Sequence, residues 1–328
     1  MVIVVDAVGG DHYPQTPVAG ALEAIEQKDD LKVILAGPED LIGRELENHS
    51  YNDEQISVHD APQIIKMNEA PAQAVKSKRN SSIVQGLGLQ KAGKADGFVS
   101  AGNTGALLAA STFFLGKLEG VTRPTIASIF PTVKGPRLLL DAGANLEMST
   151  EMYVQFAKMG RIYAHKVMKI DDPRIGLLNV GEEDQKGTEE LKKAFKELKN
   201  LPNFVGNIEG NNILTANADV FVCDGLTGNL LLKMGESVPG ALKQFIGAAV
   251  EKMNLEPKEI QLVKKVLKAS LSDFDADKIG GVPFLGVDGV SMVGHGGSTP
   301  TAIKNMIFNA VRCVESNIND EITASLNE

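Results

Sequence analysis

The stretch Val2-Ile-Val-Val-Asp6-Ala-Val-Gly-Gly-Asp-His12 decides the fold. Four β-branched residues follow one another with no polar alternate, which is the pattern of a strand buried on both faces of a parallel sheet. They run directly into a turn made of Gly9, Gly10 and the polar residues Asp6, Asp11 and His12. Further short apolar runs occupy Lys32–Leu35, Ile56–Val58, Gly97–Val99, Thr125–Phe130, Arg137–Leu140, Ile175–Leu178, Phe204–Val205, Val220–Val222 and Val290–Val293. Helical patterns such as Glu151–Val167 and Thr188–Leu198 lie between them, and no Pro/Ser-rich linker, repeat or low-complexity tract divides the chain. The alternation predicts an α/β fold: a mostly parallel sheet with helices on both faces, a three-layer α/β/α unit spanning residues 1–328 as one domain.

One segment departs from this alternation. From Leu230 to about Phe274 helix follows helix, with Pro239 and Pro257 as punctuation, which predicts an accessory helical element over residues 230–275. Ile260, Val263, Leu267, Leu271 and Phe274 recur there at helical spacing, widened by Leu262 and Val266, with Lys264, Lys265 and Lys268 among them. A helix packed on the core or on a dimer partner accounts for the stripe. A face for lipid headgroups or an acidic protein accounts for the lysines.

Composition narrows the partners. Of 328 residues, 33 are Lys or Arg and 42 are Asp or Glu, a balance of −9 that argues against nucleic acid, whose phosphates reward clustered positive charge. Aromatic residues are 5% of the chain and Trp is absent, so Val, Ile, Leu and Ala must build the core. Cys223 and Cys313 sit far apart inside apolar runs, a poor framework for a disulfide or a metal, and a reducing cytoplasm is expected. No signal peptide is expected, and the longest low-charge stretch, Ser100–Gly116, falls short of the roughly 20 apolar residues of a membrane span.

The turns that end the strands are the informative feature. Seven polar, Gly-rich turns, at Asp6–His12, Ser100–Gly105, Asp141–Asn145, Asn179–Gly187, Asn207–Asn211, Asp224–Asn229 and His295–Ser298, fall at the carboxyl ends of strands, where open α/β sheets bind ligands. Ser100 to Thr104 and Ser298-Thr299-Pro300 read as entries into helix N-termini, which bind anions. Gly and Asn are also ordinary turn residues, so the weight rests on the set. No GxGxxG follows a strand, Gly181–Gly187 lacks a Gly-Lys-Ser/Thr ending, and GxSxG and HExxH are absent. Asp6, Asp11, Asp141 and Asp224 could hold magnesium or cap helices; capping is the commoner use, and no metal or other cofactor is expected. His12 and His295 stand beside glycines in turns, which favours function, while Cys223 reads as a buried thiol more readily than as a nucleophile.

Taken in order, Val5-Asp-Ala-Val-Gly-Gly-Asp-His12, Ser100-Ala-Gly-Asn-Thr-Gly-Ala106, Leu140-Asp-Ala-Gly-Ala-Asn145, Leu178-Asn-Val-Gly-Glu-Glu183, Gly206-Asn-Ile-Glu-Gly210, Val222-Cys-Asp-Gly225 and Leu285-Gly-Val-Asp-Gly289 closely resemble the bacterial phosphate acyltransferase family from end to end. Val8 stands where that family usually has Met, and His295-Gly-Gly-Ser298 where it usually has His-Gly-Ser-Ser. The resemblance implies a fold like that of isocitrate and isopropylmalate dehydrogenases and of phosphotransacetylase, a homodimer, and a cytoplasmic protein able to lie peripherally on the membrane. It also implies the reaction: a long-chain acyl group passes from an acyl carrier protein thioester to inorganic phosphate, giving acyl phosphate for phospholipid synthesis.

Phosphate brings its own nucleophilic oxygen and a thiolate of pKa about 8–9 leaves readily, so positioning and oxyanion stabilisation suffice. The expected phosphate site is Ser100, Gly102, Asn103, Thr104 and Gly105 with Lys186. His12 or His295 is expected to stabilise the oxyanion or protonate sulfur, and Asp6, Asp11, Asp141 and Asp224 to orient these groups. Gly9, Gly10, Asn145, Asn207, Glu209, Thr227 and Asn229 complete the expected substrate contacts. Lys264, Lys265 and Lys268, with Lys252 and Lys258, offer the acidic carrier protein a local basic patch. The rivals are a phosphotransacetylase or a magnesium-dependent hydroxyacid dehydrogenase on the same scaffold, and a non-catalytic anion-binding scaffold.

Overall fold

The computed structural model describes residues 1–327 apart from 216, 254, 272, 273 and 275, and residue 276 by its backbone alone. Its strands, in chain order, are β1 (Val2–Asp6), β2 (Lys32–Gly37), β3 (Ile56–Asp60), β4 (Gly97–Ser100), β5 (Thr125–Ile126), β6 (Ser128–Thr132), β7 (Gly135–Leu140), β8 (Ile175–Asn179), β9 (Phe204–Glu209), β10 (Val220–Val222), β11 (Gly281–Leu285) and β12 (Val290–Gly294). They form two sheets: β3-β2-β1-β4-β12-β11-β5 and β6-β7-β10-β8-β9. The pairs are parallel except those of β11 with β12 and β5, and of β6 with β7.

The unbroken aliphatic run at Val2–Val5 is explained by the surroundings of β1 on each face. Ile3 and Val5 point into a core shared with Val18 and Leu22 of the helix Gln15–Ile25 and with Ile303, Met306 and Ile307 of the helix Pro300–Glu315. Val4 points the other way, with Phe98, onto Ile83, Val84 and Leu87 of the helix Ser82–Lys91. Successive side chains alternate between faces, and both faces are apolar. The second sheet repeats the arrangement. Leu138, Leu140, Val220 and Val222 face Phe156 and Ala157 of the helix Thr150–Lys166, while Leu139 and Phe221 lie on the opposite side with Phe130 and Cys223.

Two features depart from the sequence pattern. The apolar run Thr125–Phe130 is not one strand: the chain changes sheets at Ala127, leaving β5 in one and β6 in the other. Strand β11 has no counterpart among the expected runs, because Pro283 at its centre cannot donate a ladder hydrogen bond. Its carbonyl is nevertheless in use, accepting from Ala127 N at 3.1 Å.

The segment after β10 is helical, as its pattern predicts. Gly225–Met253 is a single helix of 29 residues, about 43 Å long at the standard rise, with Pro239 inside it. Its buried residues, Gly225, Gly228 and Gly235, all lie in its first half. The helix Pro257–Ser270 follows, and none of its residues is fully buried. Among the described residues no helix is long and apolar enough to cross a membrane.

Just before β10, the central strand of the second sheet, Asp219 ties three segments together. Its carboxylate meets Arg137 Nε of β7 at 2.9 Å and accepts from Arg174 Nε at 3.0 Å and from Arg174 N at 3.0 Å. Burial alone would raise this carboxyl, but the Arg174 hydrogen bonds and the two guanidinium charges outweigh it and hold the group below its ordinary 3.8. A depressed acid stabilises the fold above its unfolded pKa and loses that contribution as the pH falls through the folded one. Asp219→Asn is therefore expected to cost about 3 kcal/mol in urea unfolding at pH 7. The gap between variant and parent should close as the unfolding series is carried below pH 3.8.

Candidate active site

The site begins at the seam between the sheets, where Asp141 follows β7. Its carboxylate is fully enclosed and accepts five hydrogen bonds. Oδ1 takes Thr125 Oγ1 at 3.1 Å and Ile126 N at 3.0 Å, both from β5 of the other sheet. Oδ2 takes Ala144 N at 3.0 Å, Asn145 N at 2.5 Å and Asn145 Nδ2 at 3.1 Å. Asn145 then passes the constraint on, its carbonyl accepting from Gly225 N at 2.7 Å where the long helix starts. Gly228, one turn along, lies so close that a Cβ there would overlap the Asp141 carbonyl oxygen. Burial pushes the Asp141 carboxyl up, against the pull of the hydrogen bonds from Ile126, Asn145 and Ala144.

On the first sheet three turns interlock. Asp6 is buried, and its Oδ2 accepts from Ser100 Oγ at 2.6 Å, while Ser100 Oγ accepts from Gly102 N at 3.0 Å. Burial raises the Asp6 carboxyl, opposed by hydrogen bonds from Ser100, Ser82 and Val8. Asn103 caps the helix Thr104–Ala110 by accepting from Ala106 N at 3.0 Å, and its amide donates to the carbonyls of Lys66, Met67 and Glu69. Asp11 N donates to Gly296 O at 2.8 Å, joining the turn after β1 to the one after β12. Asp6, Ser100 and Asn103 thus spend their polar atoms within the protein. Thr104 and Gly105 are the residues this turn presents outward.

They open onto a cleft of about 650 Å³ between the two sheets. Thr104, Gly105, His295 and Ser298 border it from the first sheet, and Gly143 and Asn229 from the second. The apolar wall includes Leu108, Ile129, Phe130 and Val293. At this cleft three polar side chains form a chain of contacts: Lys233 Nζ donates to Glu236 Oε2 at 3.0 Å, and Glu236 Oε1 lies 3.3 Å from His295 Nε2. The cleft therefore combines hydrogen-bonding groups, a lysine among them, with an apolar wall, an arrangement that can hold a polar head and support charge developing on a carbonyl oxygen.

Sequence reasoning missed Lys233 and Glu236 because they belong to a helix and not to a Gly-rich turn. The available signal was their i, i+3 spacing two turns after Asp224. Asp224 itself caps that helix, accepting from Thr227 N and Thr227 Oγ1, each at 2.8 Å. The remaining turns lie elsewhere. Asn207 Nδ2 donates to Glu183 O at 2.9 Å, Asn179 Nδ2 donates to Asn207 Oδ1 at 3.1 Å, and Lys186 lies 3.8 Å from Glu183, all on the β8 and β9 side with Glu209. Neither they nor His12, Asp11, Gly9 and Gly10 border the cleft, although Asp11 approaches it through the Gly296–Gly297 turn. His12 is exposed. Among the described residues no three His, Cys, Asp or Glu side chains form a metal-ligating group.

The chain matches the profile of a family described as fatty acid synthesis protein over residues 1–321. It is 46% identical over 337 residues to a phosphate acyltransferase of Chlorobaculum parvum, with 99% of each chain covered. Its fold is similar to that of a phosphotransacetylase from Streptococcus pyogenes, with a TM-score of 0.63 at 16% identity over 96% of this chain and 94% of the other. A putative 4-hydroxythreonine-4-phosphate dehydrogenase from Salmonella typhimurium is similar as well, with a TM-score of 0.55 at 13% identity over 95% and 98%. The mostly parallel α/β architecture expected from the sequence is the one these two proteins share.

Two measurements probe the seam. Asp141→Asn replaces acceptors with an amide that must face N–H donors, so it is expected to lower unfolding free energy by about 3 kcal/mol or more. Cys223 is buried beside Asp141 O, and burial pushes its thiol well up. Ellman's reagent at pH 8 should therefore leave it unreacted in the native protein and titrate it in urea.

Proposed function

The chain belongs to the fatty acid synthesis protein family of phosphate acyltransferases, and we propose that its acyl donor is a long-chain thioester of an acyl carrier protein. Transfer to inorganic phosphate then yields acyl phosphate, the activated acyl group for phospholipid synthesis, and the free carrier thiol. The observation that carries this reading is the mixed lining of the cleft: an acyl phosphate is itself a polar head joined to an alkyl chain, and the cleft sets Lys233, His295 and Thr104 beside an apolar wall.

Phosphate sits against Thr104, Gly105 and Ser298, with the Lys233–Glu236 pair beside it. One phosphate oxygen attacks the thioester carbonyl carbon, forming the new C–O bond and placing negative charge on the carbonyl oxygen. When that oxyanion collapses, the C–S bond breaks and sulfur leaves with the bonding pair. His295, oriented by Glu236, stabilises the oxyanion or protonates the departing sulfur. The mechanism needs no protein nucleophile, in keeping with a buried Cys223.

Lys252, Lys258, Lys264, Lys265 and Lys268 are the proposed docking patch for the acidic carrier. A homodimer is the proposed working unit, supported by Leu226, Leu230 and Met234, which recur every fourth residue on the long helix and are exposed. The proposed location is the cytoplasm, with Leu262 and Val266 beside the lysines available for peripheral contact with a membrane.

The test is incubation with palmitoyl carrier protein and labelled phosphate, followed by recovery of an acid-labile acyl phosphate that forms without nicotinamide and in the presence of chelator. His295→Ala is expected to lower kcat/KM about 10²- to 10³-fold. Glu236→Gln should lower it less, because the ring is retained and only its orientation is loosened. Full activity in both variants would remove His295 from the reaction.

A further inference from the structure

Buried polar side chains are nearly always hydrogen-bonded, so a buried hydroxyl with no partner points to a group the protein does not itself supply. Ser128 is such a residue. It opens β6, is only 5% exposed and borders the reaction cleft. Among the described residues no group donates to its hydroxyl or accepts from it. Other buried polar side chains around the cleft are occupied: Ser100 on Asp6, Ser298 on the His295 carbonyl, and Asn145 on Asp141 and the Pro124 carbonyl.

The place of this hydroxyl is fixed from both sheets. Immediately before it, Ile126 N donates to Asp141 Oδ1 at 3.0 Å and Ala127 N donates to the Pro283 carbonyl at 3.1 Å. A donor on a backbone held in this way is already aimed when charge develops in front of it. Alternate side chains of a strand share a face, so Ser128 lies on the side of Phe130. Phe130 meets the long helix at Gly235, where an added Cβ would come within 3.1 Å of the ring. Ser128 therefore faces the helix that brings Glu236 to His295. Its neighbours along the chain at the cleft, Ile126, Ile129 and Phe130, are apolar. An uncharged hydroxyl among them suits a neutral carbonyl oxygen better than a phosphate dianion, whose desolvation it could not offset.

We propose that Ser128 binds the carbonyl oxygen of the substrate's acyl group, donating a hydrogen bond that strengthens as attack places negative charge on that oxygen. The hydroxyl keeps its proton throughout. This rests on the acyltransferase reading and deepens it, adding a donor from the seam to the oxyanion support given to His295.

Ser128→Ala removes the hydroxyl without stranding any protein group, so the urea midpoint should stay unchanged or rise. The same variant should lower kcat/KM for palmitoyl carrier protein about 10- to 100-fold, mostly through kcat, with KM for phosphate unchanged. Ser128→Thr keeps the hydroxyl and should restore most of the loss. Two inert ligands give a readout independent of turnover: the β-ketophosphonate analogue of palmitoyl phosphate keeps the carbonyl, and the corresponding alkylphosphonate lacks it. The parent should bind the ketophosphonate about tenfold more tightly than the alkylphosphonate, and Ser128→Ala should erase that difference.

Unchanged kcat/KM in Ser128→Ala would overturn the proposal. So would equal weakening of both phosphonates, which would give the hydroxyl to phosphate. A lowered urea midpoint, with activity lost only in proportion to unfolded protein, would return the residue to a structural role. A parent that prefers the ketophosphonate through Ser128 yet forms no acyl phosphate would leave the contact standing and refute the catalytic reading.

Discussion

The arrangement of the molecule turns on one buried carboxylate. Asp141 holds β5 of one sheet through Thr125 and Ile126, and through Ala144 and Asn145 it holds the turn at the end of β7 of the other. Thr104 and His295 belong to the first sheet's side of the cleft, Gly143 and Asn229 to the second. The separation of those two groups, and hence the geometry available to phosphate and thioester, depends on how the seam is pinned. A charge with five donors around it resists displacement in either direction, because any movement strands donors in a place water does not reach.

The same bonds show how much of the fold the sequence reveals. Val2–Val5 announces a doubly buried strand because nothing polar interrupts it, and the parallel centre of each sheet follows from repeats of that pattern. The division into two sheets does not follow. It takes place inside the apolar run Thr125–Phe130, where both halves are strand and only a distant carboxylate distinguishes them. Strand β11 is hidden by Pro283: its identity comes from pairing with β12 on one side and with β5, more than 100 residues away, on the other, and only secondarily from its own composition.

The strand-end turns were legible in the sequence, but which of their polar residues border the cleft was not. Gly-rich turns do cluster at strand ends, yet many of their polar residues are occupied in building those turns, as Asp6, Ser100 and Asn103 illustrate. Residue type and position cannot separate a group that binds a ligand from one that shapes the loop beside it, because both need the same short polar side chains. Lys233 and Glu236 were invisible for the opposite reason. On a helix, a Lys and a Glu at i, i+3 read as an ordinary exposed ion pair, and only the fold brings His295 from 59 residues away to complete it.

Pro239 lies on the long helix three residues beyond Glu236, which contacts His295. A proline there deletes one backbone hydrogen bond and crowds the preceding turn, so the rod is softest just beyond Glu236. The inner half is clamped at Asn145 and Asp224, while the outer half buries none of its described residues. The inner arm therefore keeps the Glu236 carboxylate in register with the His295 imidazole independently of what the outer arm meets. Compliance at one end and stiffness at the other are thereby written into a single element.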